Sequence, residues 1–296
     1  MSEAPVATPT EKGGDLEALR SIFRRLQRVI VAFSGGADSA FVAWVANDTL
    51  GPDRVLCVTA VSPSLAPEER ADCGKLAAEW GLRFLEVETD ELADPDYSAN
   101  DGSRCYHCKA SLLEALDPIL AGELGGAGAT VVLGVNVDDL GDHRPGQQAA
   151  AERGAAFPLV EAGFTKADVR AWSRALGLRT WDKPAAACLA SRVPYGTPVT
   201  LGTLSSVAEA ESGLRALGIG QLRVRHYGDT ARIEVMVEDL PMVVALREEV
   251  IAAVRAAGYR YVTLDLEGFR SGNLNDALDG GANSGLSLAS GPGAAR

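Results

Sequence analysis

The chain has 296 residues, of which 47% are hydrophobic and 23% charged, and this balance predicts a globular protein with a sizeable core and two domains. Its formal net charge of −12 argues against a protein that grips nucleic acid through the phosphates, because such binding needs clustered lysine and arginine. No run approaches the roughly 20 apolar residues of a membrane span, and the start lacks the apolar core of a secretory signal, so we expect a cytoplasmic protein with neither membrane nor nucleic-acid partners.

The first half of the chain alternates strand-like and helix-like segments, which is typical of a doubly wound parallel sheet. Apolar runs predict strands at residues 28–33, 54–60, 83–89 and 130–135. Apolar residues at spacings of three and four predict amphipathic helices between the strands, and Thr165 and Gly177 mark the start and the end of one more helix. We therefore predict an α/β fold, with a first domain over residues 15–185.

A stretch rich in proline and glycine, residues 180–200, separates this domain from a different pattern. The segments that follow are predicted as helix, strand, strand, helix and strand, which indicates a second, smaller α+β domain over residues 186–270. We expect residues 1–14 to form a flexible N-terminus. Residues 271–296 are rich in glycine, serine and alanine without a core pattern, which predicts a flexible tail.

The sequence SGGADS, residues 34–39, lies between the first predicted strand and the helix that follows it. Two adjacent glycines allow a close backbone approach that a Cβ atom would block. A glycine-rich turn in this position directs backbone N–H groups and the positive end of the helix at one point, which is typical of an anion site. The usual nucleotide motifs, G-x-x-x-x-G-K-[ST] and a G-x-G-x-x-G after a strand, do not occur.

This segment resembles the S-G-G-x-D-S signature of the PP-loop family at every fixed position. Members of that family are ATP pyrophosphatases with a Rossmann-like sheet, and they adenylate a substrate and release pyrophosphate. The resemblance implies that the loop binds the departing pyrophosphate and that Asp38 holds Mg²⁺ as a catalytic residue. The residues that it places at ATP are Ser34, Gly35, Gly36, Asp38, Ser39, Thr59, Ala60 and Gly134.

Carboxylates cluster where the fourth predicted strand ends, in the segment GVNVDDLGDHRPG at residues 134–146. Ligands of open α/β sheets bind at the carboxyl edge of the strands. Asp138, Asp139 and Asp142 are therefore candidates for contact with Mg²⁺ or substrate, and Arg144 is a candidate for contact with an anionic group. A solvated acidic loop is the alternative for each of these carboxylates.

Three of the five cysteines are candidates for metal binding or thiol chemistry. Cys105 and Cys108 form a C-x-x-C pair at a predicted helix start, where the helix dipole favours the thiolate. Cys188 lies in the segment before the small domain. The pair lacks the following histidine of a haem motif, and the chain lacks a second pair for a zinc site. Cys57 and Cys73 are interpreted as core residues.

The segments RCYHCK, CLASRVPYG and RVR…ARIEV are similar to those of the LarE family, which are ATP-dependent sulfur transferases within the PP-loop superfamily. The resemblance covers approximately residues 15–270. It implies that the substrate is pyridinium-3,5-biscarboxylic acid mononucleotide, whose carboxylates become thiocarboxylates for nickel-pincer nucleotide cofactor biosynthesis. It also implies a homo-oligomer.

The resemblance leaves two sources for the transferred sulfur, with Cys188 as a catalytic residue in both. In single-cysteine members of the family, the cysteine that matches Cys188 surrenders its own sulfur and becomes dehydroalanine. In three-cysteine members, the thiolates that match Cys105, Cys108 and Cys188 hold a [4Fe–4S] cluster, whose iron without a protein ligand carries a sulfide. We expect the cluster type, with sulfide or another sulfur donor as a partner, and the sacrificial cysteine is the alternative.

Arg223 and Arg225 alternate along a predicted strand of the small domain, so their side chains share one face. Two guanidinium groups suit the phosphate of a mononucleotide. Two solvated arginines on an edge strand are the alternative interpretation. The candidates for substrate binding are Arg144, Arg192, Arg223, Arg225 and Glu211.

Three other functions remain as alternatives on the sequence alone. A tRNA-thiolating PP-loop enzyme can also use three cysteines and a cluster, but it needs a basic surface, whereas this chain is acidic. A PP-loop enzyme that makes amides from ammonia would not need the three cysteines. A non-catalytic nucleotide-binding module would bind ATP without releasing pyrophosphate.

Overall fold

The computed structural model describes residues 13–122, 128–141, 145–184 and 187–270. The predictions for residues 1–12 and 271–296 lie outside these ranges. The helices are α1 (Leu16–Leu26), α2 (Ala37–Leu50), α3 (Pro67–Glu79), α4 (Pro95–Ser98), α5 (Arg104–Ala121), α6 (Pro145–Glu152), α7 (Pro158–Glu161), α8 (Lys166–Ala175), α9 (Leu201–Ala216), α10 (Leu240–Ala245) and α11 (Arg247–Ala256). The strands are β1 (Val29–Ala32), β2 (Val55–Val61), β3 (Phe84–Glu88), β4 (Thr130–Val132), β5 (Leu222–Tyr227), β6 (Thr230–Val235) and β7 (Tyr261–Leu264). Within the described part, no helix is long and apolar enough to cross a membrane.

Strands β1 to β4 form one parallel sheet in the order β3-β2-β1-β4. This sheet confirms the predicted α/β class and the four predicted strands. The last strand is shorter than predicted and ends at Val132, because the N–H of Leu133 donates to Ala156 O instead of continuing the ladder with β1. The acidic segment after β4 therefore leaves the sheet and lies at its carboxyl edge.

Helices cover both faces of this sheet. Val29 and Val31 of β1 pack with side chains of α1 and α2, whereas Ile30 packs with side chains of α5. Successive residues of a strand point to opposite faces. A strand that is buried on both faces therefore needs an unbroken apolar run, as found in VIVAF. The carboxyl end of this strand lies between two layers of helices.

Strands β5, β6 and β7 form a second sheet, in which β5 and β6 are antiparallel and β6 and β7 are parallel. Leu222 and Val224 of β5 pack against Leu214 of α9 and Val254 of α11. The predicted α+β pattern of the small domain is confirmed with one change. The last predicted helix is divided into α10 and α11, since Leu246 between them has φ −92° and ψ 23°, outside the helical range.

The segment between the two sheets packs against both domains. Leu189 and Val193 belong to one apolar cluster with Tyr97 of the first domain and with side chains of α9. The N–H of Leu189 also donates to Ser64 O, after β2, at 2.8 Å. These contacts hold the neighbouring Cys188 beside the carboxyl edge of the parallel sheet. The domain boundaries themselves stay predictions.

Candidate active site

The glycine-rich loop has a conformation that suits an anion site. Gly35 has φ +67°, a region that favours glycine, and a Cβ atom there would lie 2.9 Å from Cys73 Sγ. Ser39 Oγ accepts a hydrogen bond from Ser34 N at 3.2 Å, lies 3.0 Å from Ser34 Oγ and donates to Gly36 O. The serines thus hold the loop against the start of α2, where the helix N–H groups carry partial positive charge.

Three other residues predicted at ATP lie against this loop. Thr59 is buried in β2, and its Oγ1 donates to Phe33 O at 2.6 Å. A Cβ atom on Gly134 would lie 2.6 Å from Ser39 N, so only glycine lets the chain after β4 pass the start of α2. Ala60 follows Thr59 in β2 and packs as a half-buried residue on the core. Direct contact of these residues with ATP stays a prediction.

Two carboxylates interact beside the loop, one from Asp38 in the first turn of α2 and one from Asp139 in the 3₁₀ turn Val137–Gly141. Burial raises the pKa of Asp38 and the charge of Asp139 raises it further, whereas a hydrogen bond with Asn136 and the charge of Lys166 lower it. Lys166 Nζ lies 3.1 Å from Asp139 Oδ1. The net effect on Asp38 is a raised pKa, so a cation at this point would relieve the cost of its charge.

The donor set fits Mg²⁺, which proteins typically hold with one or two carboxylates together with phosphate oxygens and water. Asp38 and Asp139 supply these carboxylates. Asp138 is exposed, and its Oδ2 accepts a hydrogen bond from Lys166 N at 2.8 Å at the start of α8. We therefore propose Asp38 and Asp139, rather than Asp138, as the Mg²⁺ ligands. The candidates Asp142 and Arg144 lie outside the described residues.

Lys183, which flanks Cys188 in the sequence, contacts the glycine-rich loop and was not among the residues predicted at ATP or substrate. Its Nζ donates to Gly35 O at 3.1 Å and to Asp72 Oδ2 at 2.6 Å, and it lies 2.8 Å from Glu69 Oε2. Burial lowers the pKa of Lys183, but the hydrogen bonds and charges of Asp72 and Glu69 outweigh it and raise the pKa above its usual value. A permanent cation from the interdomain segment therefore contacts the backbone of the glycine-rich loop.

The three candidate cysteines converge from two elements. Cys105 and Cys108 lie in the first turns of α5, and Cys188 precedes the 3₁₀ turn Leu189–Arg192. Cys105 and Cys188 are exposed and Cys108 is half-buried. Burial raises the pKa of Cys108 to about 12, and the charges of Cys188 and Cys105 contribute to the rise. Burial thus opposes the thiolate form of Cys108 in the metal-free protein, and the thiolate expected at the helix start stays a prediction.

Arg104, the first residue of α5, joins the two segments that carry the cysteines. The residue is 5% exposed, and its Nη1 donates to Asn100 Oδ1 at 2.5 Å and to Ala190 O at 2.9 Å. Asn100 in turn donates to Pro194 O and Thr197 O. The network ties the start of α5, which carries Cys105 and Cys108, to the segment that follows Cys188.

The three cysteines supply the ligand type of an iron–sulfur cluster, which is held by thiolates. Among the residues that the structure describes, only Asp94, Asp96 and His107 bring three metal-ligating atoms within 4.8 Å of one another. The three cysteine sulfurs therefore do not all lie within 4.8 Å of one another, and the cluster stays a prediction. The charges of Cys188 and Cys105 both act on Arg104, so a buried cation is in place to offset thiolate charge.

Arg192 and Glu211 form a buried ion pair. Arg192 Nε lies 2.8 Å from Glu211 Oε1, and its Nη2 lies 3.1 Å from Oε2. Glu211 also accepts hydrogen bonds from Arg215 Nη2 and Val224 N. Burial raises the pKa of Glu211, but its hydrogen bonds and the nearby cations outweigh burial and hold the pKa below its usual value. Because Arg192 Nη1 donates to Cys188 O at 3.0 Å, this pair positions the cysteine segment.

Replacing Glu211 by glutamine is expected to lower the free energy of unfolding by about 3–5 kcal/mol at pH 7, because it leaves the buried guanidinium of Arg192 uncompensated. The pKa of Glu211 is below its usual 4.5 in the folded state. Its stabilisation is therefore present above pH 4.5 and is lost as the pH falls through the folded-state pKa. In urea unfolding, the difference in the free energy of unfolding between wild type and variant should be constant from pH 7 to pH 5. The difference should become smaller below pH 5. Glu248→Gln, at an exposed position on α11, is the control, and an equal loss in that variant would contradict the assignment.

Arg223 and Arg225 are buried, so the interpretation of two solvated arginines is wrong. Arg225 Nε and Nη2 donate to Glu234 Oε2, and its Nη1 donates to Ser191 O at 2.8 Å. The Arg223 guanidinium lies over the Phe269 ring, 5.1 Å from its centroid. Arg225 therefore ties the small sheet to the cysteine segment, and Arg223 lies beside it on the same strand face.

A cavity of about 160 Å³ lies between the two domains, and most of the charged residues that line it are cations. Lys183, Arg192, Arg215 and Arg223 contribute to its wall, and Glu69 is the only acid among its lining residues in the described part of the chain. Burial and the charge of Arg192 lower the pKa of Arg223 to about 10. An anion bound in this cavity would relieve the repulsion among these cations, so the site suits a phosphate.

A second cavity, of about 480 Å³, lies at the carboxyl ends of β2 and β3, next to the predicted ATP residues Thr59 and Ala60. Its lining residues are Val61, Ser62, Pro63, Glu88, Thr89 and Asp90. Ligands of open parallel sheets bind at this edge. Its place beside the glycine-rich loop suits the remainder of a nucleotide whose phosphates lie at the loop.

The glycine-rich loop between a parallel strand and its helix, with Asp38 in the first helical turn, is the arrangement expected of the PP-loop class of adenylating enzymes. Residues 20–101 match the family model described as NAD synthase, a member of that superfamily. The match covers most of α1, the loop and the first three strands. The class predicted from the loop sequence is thereby confirmed, and this class implies ATP binding.

Relatives extend the comparison over both domains. The chain is 40% identical to the pyridinium-3,5-bisthiocarboxylic acid mononucleotide synthase of Lactiplantibacillus plantarum over 260 residues, 88% of this chain and 93% of that protein. It is 48% identical to an uncharacterised protein of Synechocystis sp. over 266 residues, 89% of this chain and 97% of that protein. An uncharacterised protein of Methanocaldococcus jannaschii is 27% identical over 246 residues, 83% of this chain and 92% of that protein. The chain belongs to the LarE family, and it is an adenylating sulfur transferase.

Proposed function

We propose that this enzyme adenylates the two carboxylates of pyridinium-3,5-biscarboxylic acid mononucleotide and converts them to thiocarboxylates, a step in nickel-pincer nucleotide cofactor biosynthesis. The relative from L. plantarum is named for the bisthiocarboxylic product. The observation that carries the proposal is the cation-lined cavity between the domains. Lys183 joins this cavity to the glycine-rich loop at Gly35, and Ala187, next to Cys188, lies in its wall. A substrate held there by its phosphate lies between the ATP site and the thiols.

The first step is activation of a carboxylate at the glycine-rich loop. A carboxylate oxygen attacks the α-phosphorus of ATP, the bond from that phosphorus to the bridging oxygen breaks, and pyrophosphate leaves with the electron pair. Backbone N–H groups of the loop, the hydroxyls of Ser34 and Ser39 and the N-terminus of α2 stabilise the charge on the leaving group. Asp38 and Asp139 would hold Mg²⁺ there, which supplies further charge neutralisation when bound.

The second step is attack of sulfur on the acyl adenylate. AMP is a better leaving group than the oxygen of a free carboxylate, so the carbonyl carbon becomes open to attack. A carbon–sulfur bond forms, the bond to the AMP oxygen breaks, and a thiocarboxylate remains. Cys105, Cys108 and Cys188 would hold a [4Fe–4S] cluster, which supplies a sulfide on the iron without a protein ligand. Sulfide or another sulfur donor would replace the sulfur used in each cycle.

Replacing Arg223 by methionine is expected to raise KM for the mononucleotide at least about tenfold and to leave KM for ATP unchanged. A charge-assisted contact with phosphate contributes about 1.5–3 kcal/mol, and about 1.4 kcal/mol corresponds to tenfold in binding. Methionine retains the apolar stem that packs near Phe269. Arg255→Met, at an exposed position of α11, is the control. An equal rise in KM for ATP would mean that Arg223 does not bind the mononucleotide.

Release of pyrophosphate tests the proposed function as a whole. The enzyme with Mg·ATP should release pyrophosphate only when the pyridinium dicarboxylate mononucleotide is present, and with sulfide the product should carry sulfur in place of carboxylate oxygen. Nicotinic acid mononucleotide, with a single carboxylate, serves as the comparison substrate. Pyrophosphate release that depends on tRNA, or ATP binding without any release, would contradict the proposal.

We also propose that the enzyme is a homo-oligomer, on the resemblance to its family alone. Light scattering on the purified protein would measure a mass that is a multiple of the chain mass, and a monomer at micromolar concentration would contradict this.

A further inference from the structure

Tyr97 carries a buried hydroxyl beside the cysteines. The side chain is 1% exposed, its ring lies in the apolar cluster with Leu189, and Cys108 packs against that cluster. Within the described part of the chain, the hydroxyl oxygen has no hydrogen-bond partner. Phenylalanine would fill the same space without the cost of burying an unsatisfied polar group. The hydroxyl therefore points to a ligand rather than to a role in packing.

The polar groups near Tyr97 are already engaged with each other. Ser64 Oγ donates to Glu91 Oε1 at 2.6 Å and lies 2.9 Å from Ser62 Oγ, and Thr89 Oγ1 donates to Glu91 Oε2 at 3.0 Å. Ser64 is near enough to the Tyr97 hydroxyl to lower the pKa of Tyr97, but the two oxygens do not meet the distance and angle of a hydrogen bond. In this arrangement the serine–glutamate network forms no hydrogen bond with Tyr97.

Two of the three cysteines lie near Tyr97. Cys108 packs against the apolar cluster that contains Tyr97, and Leu189, which follows Cys188 in the chain, belongs to that cluster. Burial raises the pKa of Tyr97, and the charges of Cys188 and Cys108 contribute to the rise. A tyrosine hydroxyl carries its proton at neutral pH and can donate a hydrogen bond, and thiolate or sulfide sulfur can accept one.

We propose that the Tyr97 hydroxyl donates a hydrogen bond to a sulfur atom of the iron–sulfur group held by Cys105, Cys108 and Cys188. This inference rests on the proposed function, because it requires the cluster. Hydrogen bonds to the sulfurs stabilise the reduced, more negative state of a cluster and so raise its reduction potential. Tyr97 is then a residue that tunes the cluster through its sulfur, beyond the three cysteine ligands.

The test compares wild type with Tyr97→Phe as full-length chains reconstituted anaerobically with iron and sulfide. We expect the two proteins to bind equal amounts of iron. We expect the reduction potential, measured by spectroelectrochemistry, to be more negative in the variant. Tyr261→Phe, at an exposed position of β7, should leave the potential unchanged. In the metal-free protein, Tyr97→Phe should unfold at the same or a higher urea concentration than wild type, since the hydroxyl lacks a protein partner there.

Two outcomes would overturn the proposed hydrogen bond from Tyr97 and leave the proposed function unaffected. One is an unchanged reduction potential in Tyr97→Phe at equal iron content. The other is a loss of stability in the metal-free variant, which would mean that the hydroxyl has a structural partner. A wild-type chain that binds no iron contradicts the cluster in the proposed function, and the role of Tyr97 is then overturned with it.

Discussion

Replacing Asp38 by alanine is expected to lower the rate of pyrophosphate release by at least about a hundredfold. Charge stabilisation by a bound metal contributes several kcal/mol to a transition state, and 1.36 kcal/mol corresponds to tenfold in rate. The loss should appear at saturating Mg·ATP and mononucleotide, in an assay that measures pyrophosphate. Asp139→Ala should show a loss of the same kind, because both carboxylates lie at the proposed Mg²⁺ site.

The same substitution separates catalysis from folding. Burial raises the pKa of Asp38, so its ionised form destabilises the folded state above that pKa, and this cost is relieved as the pH falls through it. Asp38→Ala should therefore unfold at the same or a higher temperature than wild type at pH 7. Asp48→Ala, at an exposed position on the same helix, is the control and should retain pyrophosphate release. Undiminished release by Asp38→Ala would overturn the assignment of the loop.

The second large effect is expected at the cysteines. Anaerobic reconstitution should give about four irons per chain for a [4Fe–4S] cluster, and Cys105→Ala, Cys108→Ala or Cys188→Ala should each lower that value markedly. Cys57→Ala, in the buried part of β2, is the matched control and should retain the iron of wild type. Iron and acid-labile sulfide are the quantities to measure.

Two results of the iron measurement would contradict the cluster. Iron that is absent from wild type, or equally present in all three cysteine variants, would show that these thiols do not form the site. The pair Cys105 and Cys108 would then be a structural or redox pair. Because Cys108 is half-buried, its loss can also disturb packing, so retention of the fold should be checked in each variant by its urea transition.

Much of the fold and the loop could be predicted from the sequence because their signals are local. Strand β1 is a short apolar run, and the glycines and serines of the loop follow it directly. The positive φ of Gly35 requires a residue without a Cβ atom, so this part of the site is encoded within six positions. The small sheet was predictable for the same reason, since its strands and helices are separated by glycine turns.

The remaining site residues depend on contacts between distant segments. Lys183 meets Gly35 across 148 positions, and Arg104 meets Ala190 across 86. Lysine in a proline-rich segment and arginine at a helix start are common in surface positions, so neither has a local signal. Only the packing of the interdomain segment on the first domain brings them to the loop and to the thiols.

Neighbouring residues with the same side chain also take different roles. Asp138 and Asp139 are equal candidates in the sequence, but the 3₁₀ turn exposes the first and buries the second beside Asp38. The shared strand face of Arg223 and Arg225 is predictable from the period of two, whereas the burial of both and the partner Glu234 are not. Such differences depend on the turn and on the opposing strand.

We propose that the enzyme transfers sulfur repeatedly through a site built on three cysteines. The most direct measurement is the number of thiocarboxylates formed per chain by the anaerobically reconstituted enzyme with Mg·ATP, the dicarboxylate mononucleotide and sulfide, followed by the mass of the peptide that contains Cys188. We expect more than one turnover per chain, bound iron and an unchanged mass at Cys188. A single turnover without bound iron, with Cys188 lighter by the mass of H₂S, would contradict it and show that the chain sacrifices its own cysteine.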